Sequence, residues 1–195
     1  MNLKDYLAMI TGAAKKGGSS VFENGKTLVR AAVGAGLGVH EHAKWQPKWK
    51  IEKYHGEAKP ENLYAKEECV GNQLLNEGIN TLLTLLIGGS ATAFSNANAR
   101  IGVGDSSTAV NATQTDLQAA ANKTYKAMDA TYPQVSGQTV TFRSTFGVAD
   151  ANYDWREFVA DNGAASGKTL NRKVENHGTK ASGDTWVISL TATIS

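Results

Sequence analysis

The groups in this chain that could do chemistry are few: one cysteine, four histidines and eighteen carboxylates among 195 residues. His40 and His42 are an i, i+2 pair, which an extended backbone points to one side. With His55 and Cys69 they would offer four metal donors. Their spacing matches no standard zinc pattern, and solvated histidines beside Glu41 are the favoured reading. A hydrolytic nucleophile needs an adjacent base and an orienting acid. His177 lies in a polar turn, and the other three histidines all precede residue 56. Cys69 falls at the predicted start of a helix, where Glu67 and Glu68 oppose any lowering of its thiol pKa. Asp150, Asp154, Glu157 and Asp161 are close in sequence and could pair as acid and base. Asp150 and Asp161 are predicted in turns, and Glu157, next to Arg156, is read as part of a structural ion pair or a cross-strand hydrogen bond, with Arg156 and Glu157 as orienting polar partners. The residues therefore predict no enzyme, with no catalytic, cofactor-binding or metal-binding residue.

Two glycine-rich strings mimic nucleotide sites. Gly163-Ala164-Ala165-Ser166-Gly167-Lys168-Thr169 has one residue too few between its glycines for a phosphate loop, and a strand pattern follows it where a helix is needed. Gly102-Val103-Gly104-Asp105-Ser106-Ser107 lacks the third glycine of a dinucleotide fingerprint. Both read as turns. Lysines and tryptophans interleave in Lys44-Trp45-Gln46-Pro47-Lys48-Trp49-Lys50, which could stack bases. Glu52, Glu57 and Glu61 nearby favour a strand that packs its tryptophans and solvates its lysines. Net charge is only +2, so no specific nucleic-acid partner is expected.

The elements that must hold these residues are built from unusual material. Val, Ile, Leu and Phe make up only a fifth of the chain, and alanine supplies 27 residues. Small and polar residues fill the rest, with 20 glycines and 18 threonines. That composition predicts a turn-rich β protein. No apolar run of about 18 residues exists, so no membrane partner is expected. The opening Met1-Asn2-Leu3-Lys4-Asp5 lacks the basic-then-apolar order of a secretory signal, so action where the chain is made is expected.

Along the chain, residues 1–44 predict an arm, with a short amphipathic helix at 3–16 and an apolar, glycine-broken stretch at 27–39. Residues 45–94 predict an extended segment followed by a buried helix at 67–87. The helical stripe is Val70, Leu74, Ile79, Leu82, Leu83 and Leu86, closed by Gly88-Gly89. From 95 to 195 the apolar period becomes two, giving six strands joined by polar turns. Trp155, Glu157 and Val159 are assigned to one face of a strand. Phe142, Phe146, Trp155, Trp186, Ile188 and Leu190 are the predicted core. The expected fold class is α+β, mainly β: an antiparallel β-sandwich at 95–195 with one packed helix and an N-terminal arm.

Several strings, in order, resemble those of tailed-bacteriophage virion proteins of the tail-fibre and capsid-decoration type. They are Gly71-Asn72-Gln73-Leu74-Leu75-Asn76-Glu77-Gly78, Ser95-Asn96-Ala97-Asn98-Ala99, Ile101-Gly102-Val103-Gly104-Asp105, Gln114-Thr115-Asp116-Leu117, Gly137-Gln138-Thr139-Val140-Thr141-Phe142, Ala151-Asn152-Tyr153-Asp154-Trp155-Arg156-Glu157-Phe158 and Leu170-Asn171-Arg172-Lys173. The resemblance covers about residues 71–195. It implies a non-enzymatic structural subunit: a tail fibre, collar or capsid-decoration protein, assembled in the host cytoplasm. The implied partners are other virion proteins and copies of the chain itself, as a homo-oligomer. A receptor- or carbohydrate-binding module of a phage adhesion apparatus is the alternative. Its binding surface would be the turns at 105–116, 133–138 and 161–168, with Tyr132 beside them.

Overall fold

The computed structural model describes residues 43–163 and 168–195. The predicted arm at 1–44 lies almost wholly outside them, as do residues 164–167 of the glycine-rich string. Residues Ala43–Ser195 form one unit built of ten strands and one α-helix.

Sheet A has the order β2-β1-β10-β7-β6 and sheet B the order β3-β9-β8-β4-β5. In sheet A, β1 (Trp45–His55) runs antiparallel to β10 (Asp184–Ile194) along its whole length. On its other side it pairs with β2 (Leu63–Val70). Strand β10 also pairs with β7 (Thr139–Phe146), and β6 (Gln134–Ser136) forms the far edge. Sheet B joins β3 (Gln73–Leu74), β9 (Thr169–Val174), β8 (Glu157–Asp161), β4 (Arg100–Gly104) and β5 (Lys123–Ala127), all antiparallel. The mainly β, antiparallel sandwich with one packed helix is thus the fold observed. The segment 45–94 contributes β1, beside the central β10, and the edge strand β2 of sheet A, so it shares one core with 95–195.

Register explains the core. Trp49 faces Leu190, Ile51 faces Ile188, and Lys53 faces Trp186 across β1 and β10. Paired residues of an antiparallel ladder share a face, so these side chains point between the sheets with Phe142 and Phe146. All six predicted core residues are buried. Ile101, Val103, Phe158 and Ala160 answer them from sheet B.

Three expectations need correction. Residues 67–70 are not helical: they end β2, because Glu67 and Cys69 are locked opposite Ile51 and Trp49 of β1. Gly71 then turns the chain at φ +77°, and the helix α1 spans only Asn76–Leu86. Tertiary strand pairing overrode a locally helical apolar spacing. Second, the helix is not well buried along its stripe. Ile79, Leu83 and Leu86 fall at i, i+4 and i+7 and are 37%, 55% and 79% exposed; Ile87 is 83% exposed. The buried side carries Gly78 and Thr81 instead. Third, Trp155 does not share a face with Glu157 and Val159. The chain is irregular before β8, so Trp155 enters the core with Phe158 and Ala160. In addition, the separator at 133–138 contains the edge strand β6.

Gly78 shows why α1 sits this way round. A Cβ there would lie 2.4 Å from the Leu170 carbonyl oxygen and 2.6 Å from its Cα, both backbone atoms of β9. The Leu75 N–H donates to that same carbonyl at 3.1 Å, and Glu77 accepts from the Thr169 N–H at 2.7 Å. The helix therefore seats its first turn directly on a strand backbone. Gly78→Ala should destabilise the protein by about 1–3 kcal/mol. An open helix would instead gain about 1 kcal/mol from the same change. Urea denaturation measures the sign.

Candidate functional site

The carboxylates singled out from sequence each have a private partner. Asp150 accepts from Lys126 Nζ at 2.6 Å and from the Gly147 N–H at 2.8 Å. Asp154 accepts from Arg156 at 2.8 Å. Asp161 is not in a turn. It ends β8, nearly buried, and takes two hydrogen bonds from Arg100 at 3.0 and 2.6 Å.

Glu157 pairs with Arg172, not with Arg156. Both side chains are fully buried on the face of sheet B away from the main core. Arg172 Nε donates to Oε2 at 2.8 Å. The same carboxylate accepts the backbone N–H groups of Gln118 and Ala119 at 2.9 and 2.7 Å. Arg172 Nη1 reaches onward to the Thr108 carbonyl and Gln114 Oε1, each at 3.0 Å. This network nails the 105–122 loop to the sheet. It also explains the Gly-x-Gly string: a Cβ on Gly104 would stand 2.5 Å from Glu157 Oε1. The glycine makes room for a carboxylate of its own chain, and the ring of Tyr125 crowds Gly102 in the same way.

Of the proposed histidine and cysteine donors, His40 and His42 lie outside the described residues. His55 stacks on Tyr64 with ring centroids 4.1 Å apart and pairs with Asp184 at 3.0 Å. Cys69 is elsewhere, beside a histidine that local spacing did not join to it. Strand pairing turns Cys69 and Glu67 of β2 inward. The β9–β10 connection carries Glu175 and His177 against them. Cys69 Sγ lies 3.7 Å from His177 Nε2, and Glu175 Oε1 lies 3.9 Å from that nitrogen. On the far side of the ring, Nδ1 is 2.6 Å from Glu67 Oε2. A carboxylate only accepts, so Nδ1 donates its hydrogen to Glu67, and Nε2 is the ring nitrogen that faces the thiol. Lys53 completes the group. Its ammonium donates to Glu67 Oε1 at 2.5 Å and to the His177 carbonyl at 2.7 Å, and lies over the Trp186 ring. Phe158 packs edge-on against the imidazole.

Burial sets the electrostatics here. It pushes the Cys69 thiol up to about 11, with the Glu175 charge adding to the effect. Burial also works to raise Glu67, but hydrogen bonds from Lys53 and His177 outweigh it, and the carboxyl stays below its ordinary value. A nucleophile, base and acid thus stand in line, but the nucleophile is a protonated thiol that is 8% exposed. Cys69, Glu175 and His177 also form a cluster whose donor atoms all lie within 4.8 Å of one another.

The tryptophan–lysine string resolves as an amphipathic strand. Trp49 is fully buried, while Lys48 and Lys50 pair with Glu68 and Glu52 at 2.7 and 2.9 Å. At the Gly163–Thr169 string, Lys168 stands 3.7 Å from Glu77, an acid where a phosphate would need a donor. The outer face of sheet A carries a polar trough of about 310 Å³, lined by Lys48, Lys50, Tyr132, Thr141, Arg143 and Ser189 among others. Tyr132 lies 5.7 Å under the Arg143 guanidinium. No protein-family model, curated protein or solved structure matches the chain.

Two outcomes test these polar contacts. Glu157→Ala leaves Arg172 buried without its counter-charge and should cost about 3–5 kcal/mol in chemical denaturation. Acid sensitivity follows from Asp116, Asp150 and Asp184. Burial pushes all three up, but hydrogen bonds outweigh it: from Tyr125 and Lys123, from Lys126 and Gly147, and from His55 and Tyr64 respectively. Each is therefore held below its ordinary value of 3.8. A depressed folded pKa stabilises above the unfolded value and loses that contribution as pH falls through the folded one. The melting temperature should hold down to about pH 5 and fall below about pH 4, less steeply in Asp150→Asn.

Proposed function

We propose that this protein is a non-enzymatic structural component of a tailed-phage virion, a tail-fibre, collar or capsid-decoration subunit. It assembles through contacts with copies of itself and with other virion proteins. The observation that carries the assembly reading is the row Ile79, Leu83, Leu86 and Ile87. The core of the sandwich is closed without it, yet this apolar stripe of α1 faces outward. Over one face of a helix that is a surface with the character of an interface. A second copy of the chain is the occupant this reading assigns to it.

The virion setting comes from the resembling strings, and their position supports it. Gly104, Gln114, Glu157 and Arg172 belong to four separate strings, yet they meet in one buried network. A set of strings that converges on one structural device fits a shared scaffold better than a shared active centre. Low net charge and the many small polar residues fit a subunit whose burial is completed by neighbours.

Light scattering of the purified full chain should find an oligomer. Leu83→Asp with Leu86→Asp should leave circular dichroism unchanged and return a monomer. Mass spectrometry of separated phage heads and tails should find the chain in one fraction. A wild-type monomer that joins no particle component would sink the proposal.

One observation favours the alternative, a receptor- or carbohydrate-binding module. The trough on sheet A combines an aromatic ring, Tyr132, with paired charges and hydroxyls, the mixture that grips sugars. Glycan-array binding by the full chain that is lost in Tyr132→Ala would favour this reading over pure assembly.

A further inference from the structure

We propose that Cys69, Glu175 and His177 bind one borderline divalent cation of the Zn²⁺ type, stapling the edge strand β2 to the β9–β10 connection. The donor set is a thiolate, an imidazole and a carboxylate, the ligands that zinc prefers over magnesium or calcium. The spacing suits it. Bonds of about 2.3 Å to sulfur and about 2.0 Å to nitrogen at a tetrahedral angle put the two ligand atoms about 3.5 Å apart. Sγ and Nε2 are 3.7 Å apart. Nε2 and Glu175 Oε1 are 3.9 Å apart, so the half-exposed carboxylate closes by about half an ångström to reach a coordination edge of about 3.4 Å.

The surroundings are those of a metal ligand. A metal-binding imidazole donates its other N–H to a carboxylate, which fixes the ring and its tautomer. Glu67 does this at 2.6 Å, and Lys53 fixes Glu67 in turn at 2.5 Å. Lys173 holds the second oxygen of Glu175 at 2.9 Å and leaves Oε1 for the ion. The thiolate and Glu175 bring two negative charges to the cation, and Lys53 is matched by Glu67. Binding replaces the Cys69 S–H bond by an S–metal bond and releases that proton to solvent. Glu175 is 42% exposed at its side chain, which gives the ion an entry and leaves the fourth position for water. The local sequence hides the site. Cys69 and His177 are 108 residues apart, and only the docking of β2 brings them together.

The experiment uses the full chain, stripped with a chelator and titrated with Zn²⁺ against a chromophoric competitor. Co²⁺ serves as a spectroscopic probe in parallel. The expected result is one ion per chain at micromolar affinity or tighter, a raised melting temperature, and a thiolate-to-cobalt charge-transfer band. Cys69→Ser, which preserves size, should abolish the band while circular dichroism keeps the native signature. Glu67→Gln, acting through the ring it orients, should weaken Zn²⁺ binding about 10–100-fold. His40→Ala with His42→Ala should change neither result, which separates this site from the histidine pair. Failure to bind one ion, a cobalt complex without the thiolate band, or binding undiminished in Cys69→Ser would each overturn the proposal. If Cys69→Ser lowers stability, the band and stoichiometry of Glu67→Gln decide. None of these outcomes depends on assembly.

Discussion

Trp155 is the residue on which the two sheets close. It lies outside the regular strands, fully buried, and meets Phe146, Phe158 and Trp186 in edge-to-face contacts with centroids 4.8, 6.2 and 4.9 Å away. Those three rings come from β7, β8 and β10, so one indole bridges both sheets. Its N–H is satisfied by the Ala151 carbonyl at 3.0 Å, which lets a polar atom stay in the centre of the core. A chain with so few large aliphatic residues must draw burial from its aromatic rings. Trp49, Trp155 and Trp186 are among the largest fully buried side chains for that reason.

The same shortage leaves room inside for charge. Glu157 with Arg172, Lys53 with Glu67, and Arg100 with Asp161 all lie at or below the surface layer. Buried ions persist only where geometry and further hydrogen bonds offset their desolvation. Each pair here meets that condition by also binding backbone: Glu157 takes two loop N–H groups, Lys53 holds the His177 carbonyl, and Asp161 accepts the Gly163 N–H. These pairs therefore do more than cancel charge. They fasten the irregular segments, the 105–122 loop and the β9–β10 connection, to the sheets. The cluster at Cys69 is the most developed case, since one buried ammonium fixes both a carboxylate and the turn that carries the imidazole.

Helix α1 belongs to a different balance. Its buried side is small, Gly78 and Thr81, because it lies directly on the backbone of β9. Leu82 packs against the core, while Ile79, Leu83 and Leu86 are turned outward. A helix made this way contributes less to its own domain than its composition allows, and it keeps an apolar row available to a neighbour. Close seating on the strand and an open outer face are two sides of one packing choice.

The alternation of Ile101 with Val103, of Phe142 with Phe146, and of Trp186, Ile188, Leu190 and Ala192 by itself determined three strands, their inward faces and the β class. Period-two burial is a local property, and a strand with one wet face writes it into the sequence. Gly102 and Gly104 could also be read correctly as a strand end. Tertiary structure alone decided the rest. Residues 67–70 carry helix-compatible spacing, yet pairing with β1 made them a strand and so aimed Glu67 and Cys69 inward. Which face of α1 is buried depended on the β9 backbone, invisible from the helix itself. A structural role for Glu157 was legible, but which residue partners it was decided by the sheet, which supplied Arg172 from the adjacent strand. The Cys69–His177–Glu67 group joins residues 108 to 110 positions apart, and no spacing rule reaches that far. Local periodicity is fixed by which face meets water, but side-chain partners across a sheet are fixed by register, and register exists only once the strands have met.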